Sequence, residues 1–76
     1  MSPKLPRATA ADVIRALDRA GFSLARQSGS HKIYKNPQGR RVTVPYHAGT
    51  VLHPKILKNI LRDADLTLDH FLELLR

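Results

Sequence analysis

His31 stands just after Ser28-Gly29-Ser30 and just before a run that holds Lys32, Lys35, Arg40 and Arg41. Histidine is the side chain whose unperturbed pKa, about 6.5, lets it take up and return a proton near neutrality. Four cations in the same stretch could neutralise charge that builds on a phosphate. A base and a set of cations are what phosphodiester cleavage requires when the 2′-hydroxyl of RNA serves as an internal nucleophile. A lone histidine is nevertheless a weak motif, and the residue types leave open that His31 is a polar strand-end residue with no chemistry. Ser28, Gly29 and Ser30 could present backbone N–H groups and hydroxyls to a phosphate, or simply join two strands. His47 could supply a second acid or be a loop residue, and His53 and His70 read as polar groups at helix ends.

Other routes to the same chemistry find little support. The chain has no cysteine, which removes thiolate zinc sites, cysteine nucleophiles and disulfides and fits a reducing compartment. The six acidic residues, Asp12, Asp18, Asp63, Asp65, Asp69 and Glu73, all fall on predicted helices or their ends. A pair of carboxylates converging on a divalent cation is therefore not expected. The histidines at 31, 47, 53 and 70 show no metal-binding spacing, so neither a metal nor another cofactor is expected.

The formal net charge is +7 over 76 residues. From Arg19 to Arg62 every charged residue is basic: Arg19, Arg26, Lys32, Lys35, Arg40, Arg41, Lys55, Lys58 and Arg62. Such a block reads as a phosphate-binding surface for nucleic acid, against the plainer alternative of a solubilising basic surface. No apolar run is long enough for a membrane span, and no signal core follows the first residues, so the expectation is a cytoplasmic protein.

The elements that must position these residues can be read from periodicity. The length suits one domain, 1–76, with residues 1–8 as an extended arm holding two prolines. Thr9 and Asp12 have the spacing of a capping box, and Val13, Ile14, Leu17 and Ala20 recur at helical intervals up to Gly21, which predicts a helix over 9–20. Residues 22–26 read as a first strand, 27–30 as a turn, 31–35 as a second strand, and 41–44 as a third that ends at Pro45. Between the last two, Asn36-Pro37-Gln38-Gly39 suits a type I turn in a hairpin with a bulge. Val42 and Val44 should share an apolar face, opposite Arg41 and Thr43. If Ile33 is core, Tyr34 is exposed and could stack on a base. Pro54 should open a second helix with Ile56, Leu57, Ile60, Leu61 and Ala64 inward and Lys55, Lys58 and Arg62 outward. Leu66-Thr67 should break it, with Thr67 capping a short last helix built on Leu68, Phe71, Leu72 and Leu75. The fold class is α+β: a three-stranded antiparallel sheet with helices packed on one face, in the order α-β-β-β-α plus a short C-terminal helix.

Gly21-Phe22, Arg26, Gly29-Ser30-His31, Ile33-Tyr34, Pro37-x-Gly39-Arg40, Val42-x-Val44-Pro45, Leu57, Ile60-Leu61 and Leu66-Thr67 together resemble the HicA-type mRNA interferase toxins, over about residues 4–75. The resemblance implies a double-stranded-RNA-binding-domain-like fold, endoribonuclease activity on mRNA, a catalytic histidine at His31 and a HicB-type antitoxin partner that masks the site. The sequence departs from many relatives at Lys55-Ile56, where Gly-Thr is common, and at Asp65, where glycine is common. The cleavage reading assigns RNA or phosphate binding to Ser28, Gly29, Ser30, Lys32, Tyr34, Lys35, Arg40 and Arg41. Two alternatives stand beside it: an RNA-binding module of the same fold that does not cut, and a chain that acts mainly by docking its basic face on an acidic protein.

Overall fold

The computed structural model describes residues 5–76; residues 1–4 of the expected arm lie outside the described residues. Residues 5–8 form no regular element, yet Ala8 is buried and its carbonyl accepts from Leu52 N–H at 2.8 Å, so this part of the arm is docked against the body. Six elements follow: α1 (Ala10–Arg19), β1 (Ser23–Ser28), β2 (His31–Lys35), β3 (Arg41–Pro45), α2 (Pro54–Ala64) and α3 (Leu68–Leu74). The strands make one antiparallel sheet in the order β1-β2-β3, the expected α+β arrangement.

Each helix starts where its first free N–H groups find an acceptor. The Thr9 hydroxyl accepts from Asp12 N–H and the Asp12 carboxylate accepts from Thr9 N–H, the reciprocal pair of a capping box. Thr67 accepts from His70 N–H in the same way at α3. Both α1 and α2 end in paired bonds of the Schellman type: Phe22 N–H to Leu17 C=O with Gly21 N–H to Asp18 C=O, and Leu66 N–H to Leu61 C=O with Asp65 N–H to Arg62 C=O. That ending demands a left-handed residue. Gly21 meets the demand at φ 95°, whereas Asp65 adopts φ 58° with a side chain attached.

α1 and α2 pack over β3, and α3 packs beside α1. Between them lie Val13, Leu17, Val42, Val44, Leu57 and Phe71, all essentially without accessible surface. Phe71 is the one fully buried side chain of the seven-residue α3, which is too short to be stable alone, so its docking supplies the order. Arg19 adds a polar tie, donating to the carbonyls of Leu74 and Arg76 at 2.6 Å each. Two expected inward residues are not covered: Ile56 is 38% and Leu72 40% exposed. The helices pack most closely on β3, Tyr34 of β2 is buried with it, and every residue of β1 is exposed.

The αL position at Asp65 gives a clear expectation. A Cβ in that conformation costs about 1–2 kcal/mol, Asp being partly excused by its short polar side chain. The exposed Arg40–Asp65 ion pair, at 3.7 Å, contributes little against it. Asp65→Gly should therefore exceed Asp65→Ala in stability by about 1 kcal/mol, the same sign as inside a turn and the reverse of a mid-helix site. Urea midpoints at constant slope measure the difference, and Ala equal to or above Gly refutes it.

Candidate functional site

Strand pairing determines which side chains share a face. β2 and β3 pair His31 with Pro45, Lys32 with Val44, Ile33 with Thr43, Tyr34 with Val42 and Lys35 with Arg41. β1 adds Ser23 opposite Lys35, Leu24 opposite Tyr34, Arg26 opposite Ile33, Gln27 opposite Lys32 and Ser28 opposite His31. Side chains alternate along each strand, so two sets separate. The face away from the helices carries three rows: Ser28-His31-Pro45, Arg26-Ile33-Thr43 and Ser23-Lys35-Arg41. The helix face carries Gln27-Lys32-Val44 and Leu24-Tyr34-Val42.

His31 thus lies on the open face with Arg26, Lys35 and Arg41, and all four are exposed. No acidic residue shares those strands. The expected cation set is divided by this register. Lys32 is on the opposite face, where its ammonium stands 4.2 Å from the centroid of the Tyr46 ring, a cation–π contact. Tyr34 is on that face too, and the expectation of an exposed stacking tyrosine is corrected: it is 7% exposed and packed in the core. Pairing with buried Val42 selects Tyr34 rather than Ile33 as the inward residue, which leaves Ile33 half-buried on the open face. Burial, then Asp18 and Tyr46, raise the Tyr34 phenol above its ordinary value of 10.0, so it remains neutral. Arg40 sits in the β2–β3 connection and reaches the end of α2, donating to the Asp63 carbonyl at 3.2 Å and pairing with Asp65. It ties the hairpin tip to a helix C-terminus, whose negative dipole end suits a cation.

The first turn is tighter than expected. Ser28 belongs to β1 and is paired with His31, leaving Gly29-Ser30 as a two-residue loop. Gly29 has φ 57°, and a glycine at the first central position is what a type II′ hairpin turn requires. Gln27 Nε2 donates to the Gly29 carbonyl at 3.0 Å across the turn. The register slips between Leu24 and Arg26, leaving Ala25 unpaired as a bulge. Without that slip Arg26 would fall on the helix face, so one extra residue adds a cation to the face of His31. The wider turn is as expected: Gly39 N–H bonds to Asn36 C=O at 3.0 Å, Arg40 N–H to the Asn36 side chain at 2.8 Å, and Gly39 has φ 84°.

Beyond Pro45 the chain stays bound to the turn through Tyr46 N–H to Ser30 C=O, 2.6 Å. It then forms a loop whose far end is fixed by a bridge between Thr9 and Val51. His53 is the N-cap of α2, its Nδ1 accepting from Lys55 N–H at 3.0 Å. Pro45, His47, Val51, Leu52, His53 and Ile56 surround a cleft of about 220 Å³ beside the edge of β3. Sequence reasoning missed this cleft, because Ile56 fits the inward helical period and Val51 carries no signal of its own. Among the described residues no three His, Cys, Asp or Glu side chains come together as a metal site, and no helix is long and apolar enough to cross a membrane.

A single small sheet, helices on one face and a histidine among cations on the other define a basic α+β protein with an open basic sheet face. The chain belongs to the HicA toxins of bacterial toxin-antitoxin pairs, the family model matching residues 10–66. Membership implies an antitoxin partner. No curated protein matches the chain.

The cap at His53 is testable by stability. Its loss in His53→Ala should cost about 0.5–1 kcal/mol, while His53→Asp, a better cap with a charge suited to the helix N-terminus, should equal or exceed the parent. Urea unfolding of the three proteins decides it: Ala equal to the parent refutes the role.

Proposed function

We propose that the chain is a metal-independent endoribonuclease that cleaves mRNA in the cytoplasm, with His31 moving the proton and the open sheet face holding the RNA. The observation that carries this reading is the shared face of His31, Arg26, Lys35 and Arg41, free of carboxylates. Attack of a 2′-oxygen on the adjacent phosphorus forms a cyclic phosphate, while the 5′-oxygen leaves with a proton. His31, as base, takes the 2′-hydroxyl proton while solvent water protonates the leaving oxygen or, as acid, protonates the leaving oxygen while solvent water takes the 2′-hydroxyl proton. Arg26, Lys35 and Arg41 stabilise the charge on the phosphorus oxygens. Ser28 and the Gly29-Ser30 turn flank His31 and bind phosphate beside it. Lys32, Tyr34 and Arg40 are left out of this contact set by their surroundings: the Tyr46 ring, the core and the end of α2. A HicB-type antitoxin silences the toxin by covering the basic face, where charge complementarity favours an acidic partner.

His31→Ala should lower the rate of RNA cleavage about 10²–10⁴-fold with chelator present, since removing a general acid or base has effects of that size. Full activity in the variant refutes the assignment of His31. Dependence of the parent on added magnesium refutes the metal-free route.

Binding divides the cations independently of cleavage. Arg26→Ala, Lys35→Ala and Arg41→Ala should each reduce the salt dependence of RNA affinity by about one unit of slope, whereas Lys32→Ala and Arg40→Ala leave the slope unchanged. Affinity titrations at several salt concentrations on His31→Ala protein, which leaves the RNA intact, measure it. Equal slope changes for all five refute the division by face.

A further inference from the structure

We infer that the cleft between Pro45 and the first turn of α2 is a nucleobase subsite, which receives one unstacked base of the RNA strand crossing His31. The inference deepens the cleavage reading and rests on it for the position of the strand. Pro45 belongs to both places: it is the cross-strand partner of His31 on the open face and one wall of the cleft. Directly opposed residues in an antiparallel pair stand about 4.5–5.5 Å apart, so a nucleotide with its phosphate at His31 has its base within reach of Pro45.

The chemistry of the lining suits a base. Val51 and Ile56 are 40% and 38% exposed, and with Pro45 and Leu52 they make apolar walls around the opening. At about 220 Å³ the cleft is smaller than the roughly 300–1,000 Å³ of pockets for drug-sized ligands, the scale of a single ring system. The polar groups stand at the rim. His53 accepts from Lys55 N–H through Nδ1, so its neutral ring carries the proton on Nε2 and can donate to a ring nitrogen or carbonyl of a base edge. His47 adds a second imidazole, for stacking or hydrogen bonding. Single-stranded RNA is read in this way, by bases splayed out, stacked on rings and hydrogen-bonded at their edges. The walls are also anchored: Val51 bridges to Thr9, Leu52 N–H bonds to Ala8 C=O, and Thr50 N–H closes a turn to His47 C=O at 3.1 Å. The formal net charge of +7 attracts a polyanion such as RNA to the chain.

Two measurements test the subsite. Methyl-labelled protein is titrated with the four nucleoside monophosphates, and with ribose 5-phosphate and inorganic phosphate as controls. The methyl resonances of Val51 and Ile56 should move saturably with at least one nucleotide, with a several-fold spread in Kd among bases, and should stay still with both controls. Still methyls throughout, or equal shifts with ribose 5-phosphate, overturn the inference; still methyls are also what a cleft reserved for an apolar side chain of a protein partner produces. Separately, cleavage sites are mapped on an RNA of mixed sequence for the parent and for Ile56→Phe, which fills the cleft without touching His31. The base frequencies flanking the cut should change, and an unchanged distribution overturns the inference. A parent that cuts no RNA sinks the cleavage reading alone, because the methyl titration reads the cleft directly.

Discussion

Val42 and Val44 lie beneath α1 and α2 with no accessible surface, and only one registration of β3 buries both. Each buried valine contributes about 1.5–3 kcal/mol. A slip of one residue would expose the pair and forfeit about 3–6 kcal/mol, a large share of the about 5–15 kcal/mol that holds a small domain folded. Their burial therefore dictates the parity of the whole sheet. β2 is matched to β3 residue by residue, so Tyr34 must follow Val42 inward and His31, Ile33 and Lys35 must face out. The position of the histidine is a by-product of hydrophobic packing on the neighbouring strand, not of any bond the imidazole makes.

The same parity separates two kinds of basic residue. Arg26, Lys35 and Arg41 stand on the open face with no acid on those strands, so their charges add into one field. Lys32, in the same strand as Lys35, and Arg40, next to Arg41, are committed elsewhere: one to an aromatic ring, the other to the carbonyl end of α2. Arg40 contributes geometry instead of charge. By joining the hairpin tip to α2 it resists rotation of the sheet against the helix whose other end walls the cleft, and Arg19 makes a comparable tie between α1 and the end of α3.

Much of this was legible in the sequence, for reasons that also explain the rest. Thr9 with Asp12, Thr67, Pro54 and the Asn36-Pro37-Gln38-Gly39 turn are local signals, and the capping and turn bonds formed as the spacing implied. Val42 and Val44 alternate cleanly with polar neighbours, so β3 declared its inner face. β2 did not, because Ile33 and Tyr34 are adjacent and both are fit to be buried; only pairing with Val42 decides between them. The bulge at Ala25 is equally invisible, since a bulge exists only relative to a partner strand. The Arg40 clasp spans 23 residues, beyond any periodicity. Ile56 obeys the helical period but meets no covering layer, and the cleft follows from that mismatch.

β1 holds the edge of the sheet without a single buried residue, bent by its bulge and attached by one ladder of hydrogen bonds. None of its own side chains is lost from the core when it detaches, so it belongs nearer the low end of local opening free energies than β2 or β3. The open face is therefore divided in support as well as in charge: His31, Lys35 and Arg41 lie on the two strands held from the β3 side, whereas Arg26 and Ser28 lie on the edge strand, so the cations of one face do not share one degree of backbone protection.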